Sequence, residues 1–185
     1  MAQIFNRLRN AGIKLSAKKT LLCREELLYL GHVVSSRGIR PDPAKAAAIA
    51  DIPWSKLKTV KDVRSFLQMC SYYRRYVPEF ARISASLRDI ANGSKIPSEP
   101  SQEVLDSFQK LKYYLTSPPI LCYPDWNANF EIHTDASKDG LGAVLLNTYT
   151  IGDKKSEVVV MYASRALSIA EKNLHANELE ALAVM

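Results

Sequence analysis

The stretch FEIHTDAS, residues 130–137, decides the fold of the second half of the chain. Its apolar and polar side chains alternate, so that Ile132 lies on one face and Asp135 on the other. An alternation of period two predicts a strand with one buried face. Residues 138–140 form a turn signal, and the apolar run 141–146 predicts a second strand. The sequence therefore predicts the start of a sheet, with a carboxylate at the end of its first strand.

Asp135 is the first candidate for chemistry. A carboxylate at a strand end can serve a metal ion when other carboxylates converge on it. The alternative is an aspartate that caps the turn. These residues alone leave both open.

A third strand is predicted at residues 157–164, after a polar loop from 148 to 156. Short links between successive strands favour an antiparallel meander. The opening strands are thus expected to form one simple sheet.

The second candidate carboxylate lies on a helix predicted to start near Asn177. Glu178 and Glu180 are two positions apart and face different sides of that helix. One of the two could join Asp135 in a two-metal site. Alternatively, with Asn177 as N-cap, Glu180 is the N3 partner of a capping box.

The overall composition excludes some classes of protein. No apolar run approaches the ~20 residues of a membrane span, and the N-terminus lacks the apolar core of a secretory signal. Cys23, Cys70 and Cys122 lie far apart, which excludes a zinc-knuckle pattern and favours a reducing compartment. We therefore expect an intracellular protein that is not secreted and has no membrane partner.

Charge divides the chain into two halves. Residues 1–100 carry 18 Lys and Arg against 8 Asp and Glu, whereas residues 101–185 carry 7 against 11. A basic front half and an acidic back half suggest a polyanion-binding surface followed by a carboxylate-bearing one. A solvated basic surface with no partner explains the front half equally well.

The first fifty residues predict a helix followed by short strands. The helix covers residues 2–11, and the strands are expected at 20–23 and 27–34. Gly31 inside the second strand suggests a bulge or the close approach of another backbone or ligand. The alternative is a hairpin that merely packs.

Residues 42–116 predict helices. The first starts at Asp42 or Pro43, and the next has Thr59 as N-cap with Asp62 three residues on. Another starts at Pro78, and one more follows the loop 92–100. Three of these helices carry apolar stripes and short links, which predicts a small bundle.

The cluster Tyr72-Tyr73-Arg74-Arg75-Tyr76 lies between two bundle helices. Guanidinium groups suit phosphates, and aromatic rings suit sugars or bases. The alternative is that the rings are core and the arginines are solvated. Farther along the chain, Pro118-Pro119 and Pro124-Asp125 predict an extended linker and a domain boundary within residues 117–127.

Several motifs, in order along the chain, resemble gypsy-type retrotransposon Pol polyproteins, which combine a reverse transcriptase with a ribonuclease H. The motifs are YLGHVVS (29–35), GIRPD (38–42), VRSFL (63–67), YYRRY (72–76), LCYPD (121–125), TDAS (134–137), GLGAVL (140–145), YASRAL (162–167) and AEKN (170–173).

The resemblance implies an α+β fold in four parts. Residues 1–52 would be the end of the polymerase palm with a primer-grip-like β-hairpin, and 53–116 a small helical thumb bundle. Residues 117–127 would be a linker. Residues 128–185 would be the first half of a ribonuclease H-like domain, a mixed sheet with one helix.

The resemblance also implies partners and roles. Tyr29, Leu30, Gly31 and His32 would belong to the primer grip. Residues 59–91 would track the duplex, with Tyr72, Arg74 and Arg75 in contact with an RNA–DNA hybrid or primer–template. The remainder of the Pol polyprotein would be a second partner. The expected location is a cytoplasmic particle or the nucleus.

Asp135 and Glu180 would be the first two catalytic carboxylates of the ribonuclease H site, holding Mg²⁺ or Mn²⁺. The family's Tyr-x-Asp-Asp polymerase motif is absent from these residues, and the remaining aspartates would lie after Met185. We therefore expect neither active site to be whole, and metal binding only with the missing carboxylates present. A domesticated or degenerate non-catalytic nucleic-acid-binding protein is the alternative.

Overall fold

The computed structural model describes residues 1–93, 95–97, 99–151 and 154–185. Within these residues the fold is mixed α+β, as the sequence predicts, with two three-stranded antiparallel sheets. The α-helices are α1 (Ala2–Asn10), α2 (Pro43–Ala50), α3 (Val60–Tyr72), α4 (Phe80–Ile83), α5 (Ala85–Asn92), α6 (Gln102–Thr116) and α7 (Ala176–Val184). The strands are β1 (Glu26–Tyr29), β2 (His32–Ser35), β3 (Gly38–Pro41), β4 (Asn129–Ser137), β5 (Gly140–Ile151) and β6 (Lys154–Arg165).

The first sheet contains a hairpin, as expected, but its tight turn lies inside the segment that the sequence predicts as one strand. Leu30 and Gly31 have φ angles of +46° and +74°, and they join β1 to β2 by a two-residue turn. Positive φ at both central residues is the geometry of the hairpin turns that match strand twist. The predicted single strand over 27–34, with a bulge at Gly31, is therefore wrong. Residues 20–23 are not a strand either, and Cys23 there has a left-handed backbone with φ +53°.

Helix α3 begins where the sequence predicts. The Thr59 hydroxyl accepts a hydrogen bond from the Asp62 amide at 3.2 Å, and the Asp62 carboxylate accepts one from the Thr59 amide at 2.8 Å. This reciprocal capping box satisfies two amides that a helix start leaves free. Asp42 likewise caps α2 by accepting from the Ala44 amide at 3.0 Å.

The single helix predicted from Pro78 is two helices, α4 and α5, which are separated at Ser84. The Ala81 carbonyl accepts hydrogen bonds from the side chains of Ser84 and Arg88. In a continuous helix the Ala81 carbonyl would accept a hydrogen bond from the backbone amide four residues later. Here the two side chains bind that carbonyl instead.

One large apolar core lies among α2, α3, α5 and α6. The rings of Phe66 and Phe108 meet there at a centroid distance of 4.7 Å, and Leu121 closes the core after α6. Val159 and Tyr162 of β6 pack against the same core from outside. The second sheet is therefore attached to the helical part through β6.

The second sheet has the predicted meander order β4-β5-β6. Its last hairpin is longer than predicted, because residues 148–151 pair with 154–157. The predicted loop is therefore wrong over these positions, where β-branched and aromatic side chains favour strand. The remaining two positions of that loop, Gly152 and Asp153, lie outside the described residues.

The buried face predicted for β4 is buried only at its end. Helix α7 packs on Ala136 and Leu141 through Leu179. Phe130 and Ile132, on the part of β4 that α7 does not reach, are 38% and 66% exposed. Alternation therefore identified the strand correctly but overestimated its burial.

In the part of the chain that the structure describes, no helix is both long enough and apolar enough to cross a bilayer.

Candidate nucleic-acid interface and carboxylate site

Two tyrosines hold the tip of the β1–β2 hairpin against α3. The Tyr73 hydroxyl donates to the Gly31 carbonyl at 2.9 Å, and the Tyr72 hydroxyl donates to the Leu30 carbonyl. A side chain at Gly31 would be crowded, because its Cβ would lie 3.2 Å from the Tyr73 hydroxyl and 3.0 Å from Lys45 Nζ. The hairpin tip and α3 therefore form one surface.

His32 extends this clamp by one residue. Its Nδ1 shares a 3.0 Å hydrogen bond with the Tyr76 hydroxyl, and its ring stacks on Tyr72 at 5.4 Å. Burial lowers the pKa of His32, and the nearby charges of Arg75 and Lys45 lower it further. The ring is therefore neutral at pH 7 and acts as a hydrogen-bonding and stacking partner rather than as a cation.

The tyrosine–arginine cluster divides into buried and exposed members. Tyr73 and Tyr76 are core residues, 2% and 0% exposed, and burial raises the pKa of each to about 12. Tyr72 is 52% exposed, and Arg74 and Arg75 are exposed on the three-ten helix after α3. The exposed members are free to contact a ligand, and the buried ones hold them in place.

A groove of about 640 Å³ runs between the hairpin tip, α2 and α3. Leu30 and Tyr72 line it, together with Lys45, Gln68 and Met69. The last three residues were not predicted as site residues. Lys45 is the one cation of an alanine-rich helix, and only the fold shows that this helix lies beside the hairpin.

The predicted primer-grip residues are thus brought together with Tyr72. Tyr29 and Leu30 are 60% and 69% exposed. Gly31 is buried, and His32 is partly buried. The surface has an apolar and aromatic centre, with Lys45 on one side.

Asp135 lies three residues before the first residue of the predicted turn, in register with Gly142 of β5. The turn is capped instead by Ser137, whose hydroxyl accepts from the Asp139 amide at 3.3 Å and donates to the Gly140 carbonyl at 3.0 Å. Asp135 itself is exposed. The turn-capping reading of Asp135 is therefore wrong.

Glu180 is not a capping residue either. Helix α7 has His175 as N-cap, and the carboxylate of Glu178 accepts from the His175 amide at 2.8 Å. The capping box predicted for Asn177 and Glu180 is therefore wrong by two residues. Glu180 is exposed in the second turn of α7, next to the buried Leu179.

Asp135 and Glu180 thus lie on elements that touch, since Ala136 and Leu179 belong to one apolar cluster. Both carry hard oxygen donors, which suit Mg²⁺. Among the described residues, no three His, Cys, Asp or Glu side chains converge on a possible metal position. The donors fit the ion in kind, but two carboxylates make only part of a site.

Comparison with known proteins identifies the family. Residues 101–185 match the RNase H-like domain found in reverse transcriptase. Over 95% of its length the chain is 36% identical to the Pol polyprotein of transposon gypsy from Drosophila melanogaster. The chain belongs to the gypsy-type retrotransposon Pol family. It is also 33% identical, over 98% of its length, to the Pol polyprotein of transposon 297 from the same species.

This Pol segment is short relative to its relatives. It spans 17% of the gypsy polyprotein and 16% of the 297 polyprotein. It is also 32% identical over 89% of its length to the Gag-Pol polyprotein of koala retrovirus, of which it spans 9%.

Solved structures of a foamy viral protease-reverse transcriptase share the fold of this Pol segment. One of them, a dRH form in complex with double-stranded DNA, superposes on this chain with a TM-score of 0.77 at 21% sequence identity. Another, in complex with an RNA/DNA hybrid, has a TM-score of 0.76 at 21% identity. Each covers 98% of this chain, which spans 31% and 24% of the respective foamy viral chains.

Proposed function

We propose that this Pol segment binds an RNA–DNA hybrid or a primer–template duplex with the face formed by the hairpin tip and α3. The observation that carries the proposal is the tyrosine clamp. It fixes exposed apolar side chains of the hairpin beside exposed Tyr72, Arg74 and Arg75. Aromatic rings stack on sugars or bases, and guanidinium groups pair with phosphates.

The order of elements supports the four-part division inferred from the sequence. On this proposal, residues 1–52 are the end of the palm and residues 53–116 are the thumb. The linker 117–127 leads into 128–185, the first half of a ribonuclease H-like domain. The duplexes in the foamy viral structures support the same role for this chain.

We further propose that Asp135 and Glu180 are catalytic carboxylates of RNA-strand hydrolysis in the whole polyprotein. β4 and α7 would present them as oxygen donors for Mg²⁺ or Mn²⁺, together with carboxylates from the remainder of Pol. When bound, such an ion activates water for attack on a phosphodiester. The segment alone should leave a labelled hybrid uncut, because two carboxylates hold Mg²⁺ weakly.

The family resemblance supports action inside the cell, in a cytoplasmic particle or the nucleus. A domesticated, non-catalytic nucleic-acid-binding protein shares the binding face but not the hydrolysis, so that tests of binding and tests of cleavage distinguish the two functions.

The binding test replaces Arg74 and Arg75 together with alanine. We measure the affinity for a fluorescent RNA–DNA hybrid by anisotropy at several salt concentrations. Each lost phosphate contact should flatten the slope of log affinity against log salt by about 0.9, so the double variant should lose about 1.8. A control with the same charge change, Arg7→Ala with Arg9→Ala on the exposed α1, should keep the wild-type slope. Equal slopes for all three proteins would contradict the proposal.

A further inference from the structure

The thumb helices enclose a second pocket, of about 300 Å³, between α3 and α5. Of the residues that the structure describes, the charged ones lining this pocket are Arg64 and Arg88, and its polar lining includes Gln68, Ser71 and Asn92. A volume of 300 Å³ is about ten times that of one water molecule in the liquid. The pocket is therefore large enough for a tetrahedral oxyanion.

Both arginines are held at the pocket wall by backbone carbonyls. Arg64 Nε donates to the Ala91 carbonyl at 2.6 Å, and Arg88 Nη2 donates to the Ala81 carbonyl. One donor of each guanidinium anchors the side chain, and the fork geometry leaves other N–H groups for a ligand. Because the two side chains are already held in place, they lose less conformational entropy when a ligand binds.

Arg88 lacks a full set of partners. Its Nε is buried and has no acceptor within the described residues. Burial lowers the pKa of its guanidinium, whereas Asp89 and Asp139 raise it. Neither aspartate lines the pocket. A partly desolvated cation whose Nε has no acceptor is costly to bury, and a bound anion offsets part of that cost.

We propose that this pocket binds a phosphate group through Arg64 and Arg88. Gln68 lines both this pocket and the hairpin groove, so the two sites share one face of α3. The source of the phosphate is most simply the backbone of a nucleic-acid strand lying along α3. To that extent the inference deepens the proposed duplex binding and rests on it. A free phosphate would use the same donors.

The test uses Arg64→Gln and Arg88→Gln, with Arg9→Gln on α1 as a control of equal charge change. Hybrid affinity is measured against salt for each protein, and thermal unfolding is measured with and without inorganic phosphate, at constant ionic strength set by sodium chloride. If the phosphate belongs to a strand, each pocket variant flattens the salt slope by about 0.9 relative to Arg9→Gln.

If the pocket takes a free phosphate instead, the slopes stay equal. Inorganic phosphate then raises the midpoint of wild type and Arg9→Gln but not of the pocket variants. If the pocket variants match Arg9→Gln in both measurements, the inference is overturned. If wild type binds no hybrid, the proposed function fails, and the phosphate measurement still decides the pocket.

Discussion

Replacing Gly31 by alanine tests whether the hairpin tip is held by α3. Gly31 has φ +74°, and a Cβ there would lie 3.2 Å from the Tyr73 hydroxyl. Tyr73 is 2% exposed and cannot move aside, whereas Lys45, whose Nζ would lie 3.0 Å from that Cβ, can. The substitution therefore strains the backbone and pushes on the Tyr73–Gly31 hydrogen bond.

The expected cost has two parts. A left-handed backbone costs a non-glycine residue about 1–2 kcal/mol, and loss of the Tyr73 hydrogen bond costs about 1 kcal/mol. The free energy of unfolding should fall by about 2–3 kcal/mol. For a chain of this size the midpoint of thermal unfolding should fall by about 4–12 °C.

Two controls separate the parts of that cost. Gly12 has φ +69°, and a Cβ there would meet no atom within 4 Å, so Gly12→Ala carries the backbone cost alone. In a Tyr73→Phe background, Gly31→Ala should cost about 1 kcal/mol less than in wild type, because the contact is already gone. Urea unfolding of the single and double variants gives these differences. A Gly31→Ala cost no larger than that of Gly12→Ala would refute the clamp.

The Thr59–Asp62 capping box and the Arg165–Glu171 ion pair each give a prediction with a pH dependence. Thr59→Ala should lower the free energy of unfolding by about 1 kcal/mol at pH 7. The hydrogen bond from Thr59 is the main reason that the pKa of Asp62 lies below its ordinary 3.8, so the urea-measured difference from wild type should shrink as pH falls below that value. Hydrogen bonds from Arg165, at 2.8 and 3.0 Å, are the main reason that the pKa of Glu171 falls from 4.5 to about 2. Its stabilising effect should therefore be complete above pH 4.5 and lost toward pH 2. Glu171→Gln should remove that dependence, and a stability that still falls between pH 4.5 and pH 2 to the same extent in this variant would count against the ion pair with Arg165 as its cause.

The parts of the fold that sequence predicted are those fixed by local chemistry. The Thr59–Asp62 capping box is a motif within four residues, and the structure forms it where the sequence places it. The alternation in 130–137 identifies β4 in the same way. Both features depend on neighbours in the chain rather than on distant contacts.

The start of α7 shows where local chemistry is insufficient. The segment offers two registers of one motif, His175 with Glu178 and Asn177 with Glu180. Asparagine is the better N-cap on local preference, yet the helix uses His175. Leu179 is buried in the apolar cluster under the second sheet. The helix that buries Leu179 in this way has His175 as its N-cap, and Glu180 lies outside the capping box.

Some residues of the candidate site were predictable from the sequence, but their arrangement was not. Sequence identified Tyr72 and the two arginines, but the division of the tyrosines into buried and exposed members depends on the hairpin folding onto α3. Leu27–Val34 carries a strand-like pattern through Gly31 with no strong turn signal beside it. The two left-handed residues at the tip are held by tyrosines about 42 residues away, and no local pattern reveals that contact.

RNA-strand cleavage by the whole Pol polyprotein gives the most direct test. The two substitutions are Glu180→Gln and Glu178→Gln, which make the same chemical change two residues apart on α7. Glu180→Gln should lower the cleavage rate more than about 100-fold, since loss of residues that only support metal ligands already costs 10–100-fold, and it should leave thermal stability near wild type. Glu178→Gln should retain both cleavage and stability, because a glutamine there can still accept the hydrogen bond from the His175 amide. Normal cleavage by Glu180→Gln, with loss of cleavage in Glu178→Gln, would contradict the account.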